Sequence, residues 1–210
     1  MEYVVFVHGI WMTGADMGLL RRRVRCCGFR VSQFRYATVR ADVRTNAARL
    51  QRFIGSLRAD TVHLVGHSLG GLVIRQYLHD YHATADGPRI GRSVTLGTPH
   101  NGSIVARRLA TLSGLRQLLG RSVDDGLDGC LPPWPDNHEL GVIAGSKPVG
   151  LGRLLPVLTG ANDGTVAVAE TRLAGAADHI TVPVSHTSML FSAAVARQVC
   201  SFLQRGRFEH

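Results

Sequence analysis

An α/β architecture, with about six mostly parallel strands and helices on both faces of the sheet, is predicted by three features of the sequence. Short apolar runs alternate with longer segments of helical periodicity, the pattern of strand–helix–strand units. Turn residues follow the apolar runs: the first ends in His8-Gly9, and the third runs into Gly66-His67-Ser68-Leu69-Gly70-Gly71. The chain has 210 residues, 45% hydrophobic and 19% charged, which suits one domain burying roughly 70% of its unfolded surface. That composition excludes a disordered chain, and no apolar run approaches the roughly 18 residues of a membrane span.

The elements follow in order. Tyr3 to Val7 is β-branched and aromatic, a buried strand; Met17 to Cys27 has helical spacing, and Val31 to Tyr36 alternates as a second strand. Ala47, Leu50, Ile54 and Leu57 mark an amphipathic helix over 46–57. A third strand, Thr61 to Val65, precedes a helix over 72–82, and further strands are expected over 92–97, 140–144 and 179–184. A last helix over 187–203 carries Met189, Leu190, Val195, Val199 and Phe202. The stretch 103–137 breaks the alternation. It holds a helical pattern over 104–119 and the turn-rich Asp128-Gly129-Cys130-Leu131-Pro132-Pro133-Trp134-Pro135, and reads as a small cap inserted in a single domain. The cap stripe of Val105, Leu109, Leu112 and Leu115 either packs on the sheet, lines an acyl pocket or lies on a membrane surface.

The formal net charge is +9, and every basic residue but Lys147 is arginine. The arginines are scattered, only Arg21-Arg22-Arg23 with Arg25 being dense, so most form a solvated face. No nucleic-acid motif accompanies them, and peripheral contact with an anionic membrane is the remaining use of the charge. Cys26, Cys27, Cys130 and Cys200 have no metal-ligand spacing, and reduced thiols are the expectation. The N-terminal stretch lacks a basic region and a cleavage site, which points to a cytoplasmic protein.

Gly66-His67-Ser68-Leu69-Gly70 fits G-x-S-x-G between a buried strand and an apolar helix, where a sharp turn would expose a nucleophilic serine. A serine hydroxyl needs a base to remove its proton as it attacks. His186, between the last strand and the last helix, lies at the same edge of the sheet; His8, His67 and His100 compete with it less well. A carboxylate must then orient the imidazole, and Asp163 in Asn162-Asp163-Gly164 is the candidate, with Asp178 and Glu170 as fallbacks. The oxyanion needs two N–H donors: Leu69 after the nucleophile and Ile10 after His8-Gly9, Trp11 being the alternative to Ile10. Trp11, His67 and Trp134 are candidates for substrate contact.

Val7-His8-Gly9, Gly66-His67-Ser68-Leu69-Gly70-Gly71, Leu96-Gly97-Thr98-Pro99-His100-Asn101-Gly102-Ser103, Asn162-Asp163-Gly164-Thr165-Val166 and Ser185-His186 together resemble the lipase and esterase branch of the α/β-hydrolase superfamily, with bacterial triacylglycerol lipases and PGAP1-like hydrolases the closest look. The resemblance implies a minimal form of that fold, with Ser68 as nucleophile, Asp163 as acid, His186 as base, and Ile10 and Leu69 as oxyanion donors. It implies hydrolysis of a small-molecule or lipid ester through an acyl-enzyme, without cofactor. The larger lipases hold calcium partly through an Asp after the catalytic His; Thr187 and Ser188 stand there, so no metal is expected. A thioesterase or acyltransferase would use the same residues, and a non-catalytic membrane-surface binder could keep the same fold.

Overall fold

In a computed structural model, residues 1–81, 87–112, 116–122, 126–150 and 157–210 are described. Six strands form one sheet: β1 (Glu2–Val7), β2 (Arg30–Phe34), β3 (Thr61–His67), β4 (Arg89–Leu96), β5 (Leu140–Gly145) and β6 (Asp178–Val182). Their order is β2-β1-β3-β4-β5-β6, and every neighbouring pair is parallel. The strand order reverses between β1 and β3, and the crevice beyond the carboxyl ends of strands at such a switch point is where ligands bind in open α/β sheets. His8-Gly9-Ile10 and Ser68 follow those two strands.

Covering both faces buries the central strands, and every residue of β3 is buried, Thr61, His63 and His67 included. On one face α2 (Val43–Gly55) and α3 (Leu69–Tyr81) pack together over Val5, Leu64 and Val142. On the other, α1 (Gly18–Arg25) and α7 (Ala193–Arg205) pack over Val4, Phe6 and Val65. Leu20 and Val24 of α1 meet Val195, Val199 and Phe202 of α7, each side chain contributing about 1.5–3 kcal/mol by its burial.

Two expected helices are broken. The pattern over 104–119 becomes α4 (Ile104–Thr111) and α5 (Arg116–Leu119), with Leu112 already extended at ψ 128°. The helix expected over 187–203 begins as a 3₁₀ turn, Ser188–Phe191; Ser192 then caps α7, its hydroxyl accepting from the Val195 N–H at 3.3 Å. A short α6 (Val168–Thr171) was not expected. Of the cap stripe, Val105 is buried, Leu109 half-buried and Leu112 exposed, and Leu115 lies outside the described residues, as does His82. The expectation of four reduced thiols is corrected: Cys27 and Cys200 are disulfide-bonded, Cα atoms 6.3 Å apart, because the α1–α7 packing brings together cysteines 173 residues apart. Cys26 and Cys130 are free and exposed. No helix among the described residues is long and apolar enough to cross a membrane.

Candidate active site

Ser68 sits between β3 and α3 with φ 53°, in the left-handed region that non-glycine residues rarely enter. Such a conformation costs on the order of 1–3 kcal/mol and persists only where the surroundings fix it. Here they do: the Ser68 N–H donates to Leu96 O at 2.9 Å, and the Thr98 hydroxyl donates to Ser68 O at 3.0 Å. Gly70 lets α3 start hard against β1, since a Cβ there would run into Val7 O.

His186 arrives on the short connection after β6 and Asp163 on the long one after β5. The His186 Nδ1 lies 2.7 Å from Asp163 Oδ2, and the His186 N–H donates to Asp163 O at 2.9 Å. The other carboxylate oxygen, Oδ1, accepts from the N–H groups of Thr165 (2.9 Å) and Val166 (2.7 Å), so Oδ2 is left for the imidazole. With the carboxylate Oδ2 accepting, the proton sits on His186 Nδ1 and Nε2 is left as the acceptor. Ser68 and His186 line the same cavity, of about 210 Å³.

Gly97, at the end of β4, makes room for this pair. It has φ +55°, and a Cβ would lie 2.9 Å from Asp163 Oδ2 and 3.0 Å from His186 Nδ1. Gly97→Ala is therefore expected to displace the pair and lower kcat by roughly 100-fold or more, measured with a simple aryl ester. A variant within a few-fold of the parent would show that the pair tolerates the shift.

His67 is fully buried beneath this assembly. Its Nε2 lies 2.9 Å from the His186 carbonyl oxygen, which can only accept, so Nε2 carries the proton; the rings are tilted by 46° with centroids 4.7 Å apart. It thus supports His186 from behind. Burial, with the neighbouring His186 adding to it, pushes its pKa down to about 3, and burial does the same to His100, whose Nε2 lies 3.1 Å from the Thr95 hydroxyl. Both rings stay neutral when folded but would charge below about pH 6.5 when unfolded. The unfolded state then binds more protons, so their contribution is complete above pH 6.5 and is lost as pH falls. At pH 5 the loss is on the order of 2 kcal/mol per ring. Urea unfolding at pH 7.5 and pH 5 should show it, and equal stabilities would contradict the assignment.

In the loop after β1, the Trp11 N–H donates to Thr38 Oγ1 at 3.2 Å, and Trp11 has φ 60°. The Ile10 N–H has no partner among the described residues. Leu69 opens α3, where its N–H has no carbonyl one turn back and the helix dipole favours negative charge. The fallback carboxylates are engaged elsewhere: Glu170 accepts from the N–H groups of Ile104 (2.6 Å) and Ala167 (2.8 Å), and Asp178 accepts from those of His179 and Phe208 (both 2.8 Å) at the opposite end of the sheet. His8 is buried, its Nδ1 3.0 Å from Gly9 O.

Of the three residues expected to meet substrate, Trp11 lines the cavities at Ser68, His67 borders the one it shares with His186, and Trp134 is not brought to the site. Trp134 is buried between His100 and His138 and donates its indole N–H to His138 O at 2.7 Å. Nothing in the sequence pointed to Arg75, a buried guanidinium on α3 that donates to Pro132 O (2.6 Å) and His100 O (2.7 Å), tying the turn-rich stretch around Pro132 to α3. No cluster of three or more metal-ligating side chains occurs among the described residues.

A family model described as "Putative serine esterase (DUF676)" matches residues 1–119. A comparison with curated proteins gives no match. Among solved structures, the mature form of the Bacillus licheniformis lipase BlEst2 superposes with a TM-score of 0.75 at 22% identity, covering 98% of this chain and 91% of that one. The metagenomic carboxyl esterase MGS0156 gives 0.69 at 19% identity, over 89% of this chain and 65% of that one. The product of lin2722 from Listeria innocua gives 0.65 at 14% identity, over 100% and 96%. At these identities the likeness establishes the α/β-hydrolase fold.

Proposed function

Because the chain belongs to the DUF676 family of serine esterases, we propose that it hydrolyses carboxylic esters through an acyl-enzyme on Ser68. The observation that carries this reading is the 2.7 Å contact between His186 Nδ1 and Asp163 Oδ2 at the rim of the cavity that Ser68 lines. In this mechanism His186 Nε2 takes the Ser68 hydroxyl proton as Oγ attacks the ester carbonyl. Asp163 holds the imidazolium that forms, and the N–H groups of Ile10 and Leu69 receive the oxyanion. Collapse of the tetrahedral intermediate breaks the bond to the alcohol oxygen, to which His186 returns the proton. Water then enters, loses a proton to His186 and attacks the acyl-enzyme; as the second intermediate collapses, His186 gives that proton to Ser68 Oγ, freeing the acid and restoring the hydroxyl.

The unpartnered Ile10 N–H, beside a Trp11 N–H already given to Thr38, favours Ile10 over Trp11 as the donor. The Cys27–Cys200 bond favours an oxidising compartment over the cytoplasm. A fluorophosphonate probe tests the reading: the parent protein should be labelled and should turn over p-nitrophenyl acetate, while Ser68→Ala should do neither. Equal labelling of the two would remove Ser68 from its role. An unlabelled, inactive parent would leave a non-catalytic binder on the same fold.

A further inference from the structure

Two unequal cavities meet at Ser68, and the position of His186 tells them apart. We infer that the chain selects esters of short acyl groups joined to larger alcohols. This rests on the esterase reading above.

His186 must hand its proton to the leaving oxygen, so the alcohol lies on the His186 side of the scissile bond and the acyl chain on the other. The cavity beside His186 is about 210 Å³ and is also bounded by Met12, Gly150, Thr165 and Thr187. The cavity away from it is about 50 Å³ and is walled by Pro99, Val105, Leu109, Leu119, Leu127 and Val166, with no charged side chain among the described residues. The smaller cavity, about a quarter of the size of the other, therefore takes the shorter chain.

The wall is held against expansion. Trp11 donates its indole N–H to Leu118 O at 2.8 Å, the Arg121 N–H donates to Val39 O at 3.1 Å, and the Ser122 hydroxyl donates to Thr38 O. Leu119 lies among these three attachments, which fasten the cap to the loops after β1 and β2. A longer acyl chain must break them or displace Leu109. Until the space is filled, each methylene adds apolar burial and should raise kcat/KM about fourfold; beyond that the gain reverses.

The test is kcat/KM for monomeric p-nitrophenyl acetate, butyrate, hexanoate, octanoate and decanoate. A maximum at butyrate, with decanoate at least tenfold lower, is expected. Leu109→Ala should raise the decanoate-to-butyrate ratio at least tenfold. Leu109→Phe, which fills rather than empties the space, should move the maximum to acetate and keeps the test open if the alanine variant fails to fold. Butyrates of primary alcohols from ethanol to octanol should hold or rise in kcat/KM. Values that climb through decanoate, a profile unmoved by either Leu109 variant, or a tenfold fall along the alcohol series would overturn the inference. Fluorophosphonate labelling separates the two readings: a labelled Ser68 with any of these profiles, or with no ester turned over, overturns the pocket assignment alone. An unlabelled Ser68 without turnover overturns the esterase reading and this one with it.

Discussion

Asp163→Asn is expected to lower kcat by roughly 10³–10⁴ while leaving the fold intact. The magnitude follows from which carboxylate oxygen does what. Oδ1 receives the N–H groups of Thr165 and Val166, at 2.9 and 2.7 Å, and an asparagine must keep its carbonyl oxygen there to satisfy them. Its amide NH₂ then faces His186 Nδ1, where Oδ2 stood at 2.7 Å. Two donors cannot share one contact, so the imidazole shifts its proton to Nε2, the nitrogen that must accept from Ser68. Because the backbone bond from the His186 N–H to Asp163 O survives, the loop geometry should hold and the loss should fall on kcat rather than KM. Steady-state kinetics on p-nitrophenyl acetate check this. A variant within tenfold of the parent kcat would mean that another group orients His186, and Glu170 and Asp178 are both committed elsewhere.

The sheet was legible because its central strands are buried on both faces: Tyr3 to Val7 is an unbroken apolar run, and Thr61 to Val65 is apolar but for Thr61 and His63. Helix continuity was not legible in the same way. Val105, Leu109, Leu112 and Leu119 keep a helical period, yet Leu112 turns extended, since a period records which side chains face inward and says nothing of whether the backbone between them is continuous. Ser192 offered a local signal, a serine three residues before Val195 able to cap a new helix, and the apolar pattern on either side masked it.

The site divides along the same line. Ser68, Asp163 and His186 each sit in a short, locally marked segment, so their candidacy was readable from spacing. The groups that support them depend on contacts between segments far apart in the chain. Gly97 belongs to a motif that stands out in the sequence, but its use, clearing space for Asp163 and His186, exists only once three connections converge over the end of β4. His67 neighbours Ser68 and borders the cavity there, but the use of its Nε2, a contact with the His186 carbonyl, exists only in the fold. Trp134 followed a rule that a large aromatic in a cap meets substrate, whereas its indole N–H finds a partner inside the protein at His138 O.

Reduction of the Cys27–Cys200 bond is expected to be the largest single loss of stability short of emptying the core. The bridge joins the end of α1 to the middle of α7 and closes a loop of 173 residues, and in the chain-entropy model a closure of that length restricts the unfolded chain by about 5 kcal/mol. For a domain of this size that corresponds to a fall in Tm of about 10–20 °C. The helices keep other ties, since Gln204 donates to Cys27 O at 3.1 Å and Arg23 donates to Phe191 O at 2.6 Å, so the reduced protein should remain folded at 25 °C and retain its ester turnover. Cys27→Ser, Cys200→Ser and the double variant should share one lowered Tm, because all three remove the same bridge. Thiol titration of the denatured protein should find two reactive groups, Cys26 and Cys130, before reduction and four after. Four thiols in the untreated protein, or a Tm indifferent to reductant, would show that the two sulfurs lie side by side unbonded in solution, and the oxidising compartment inferred from them would lose its support.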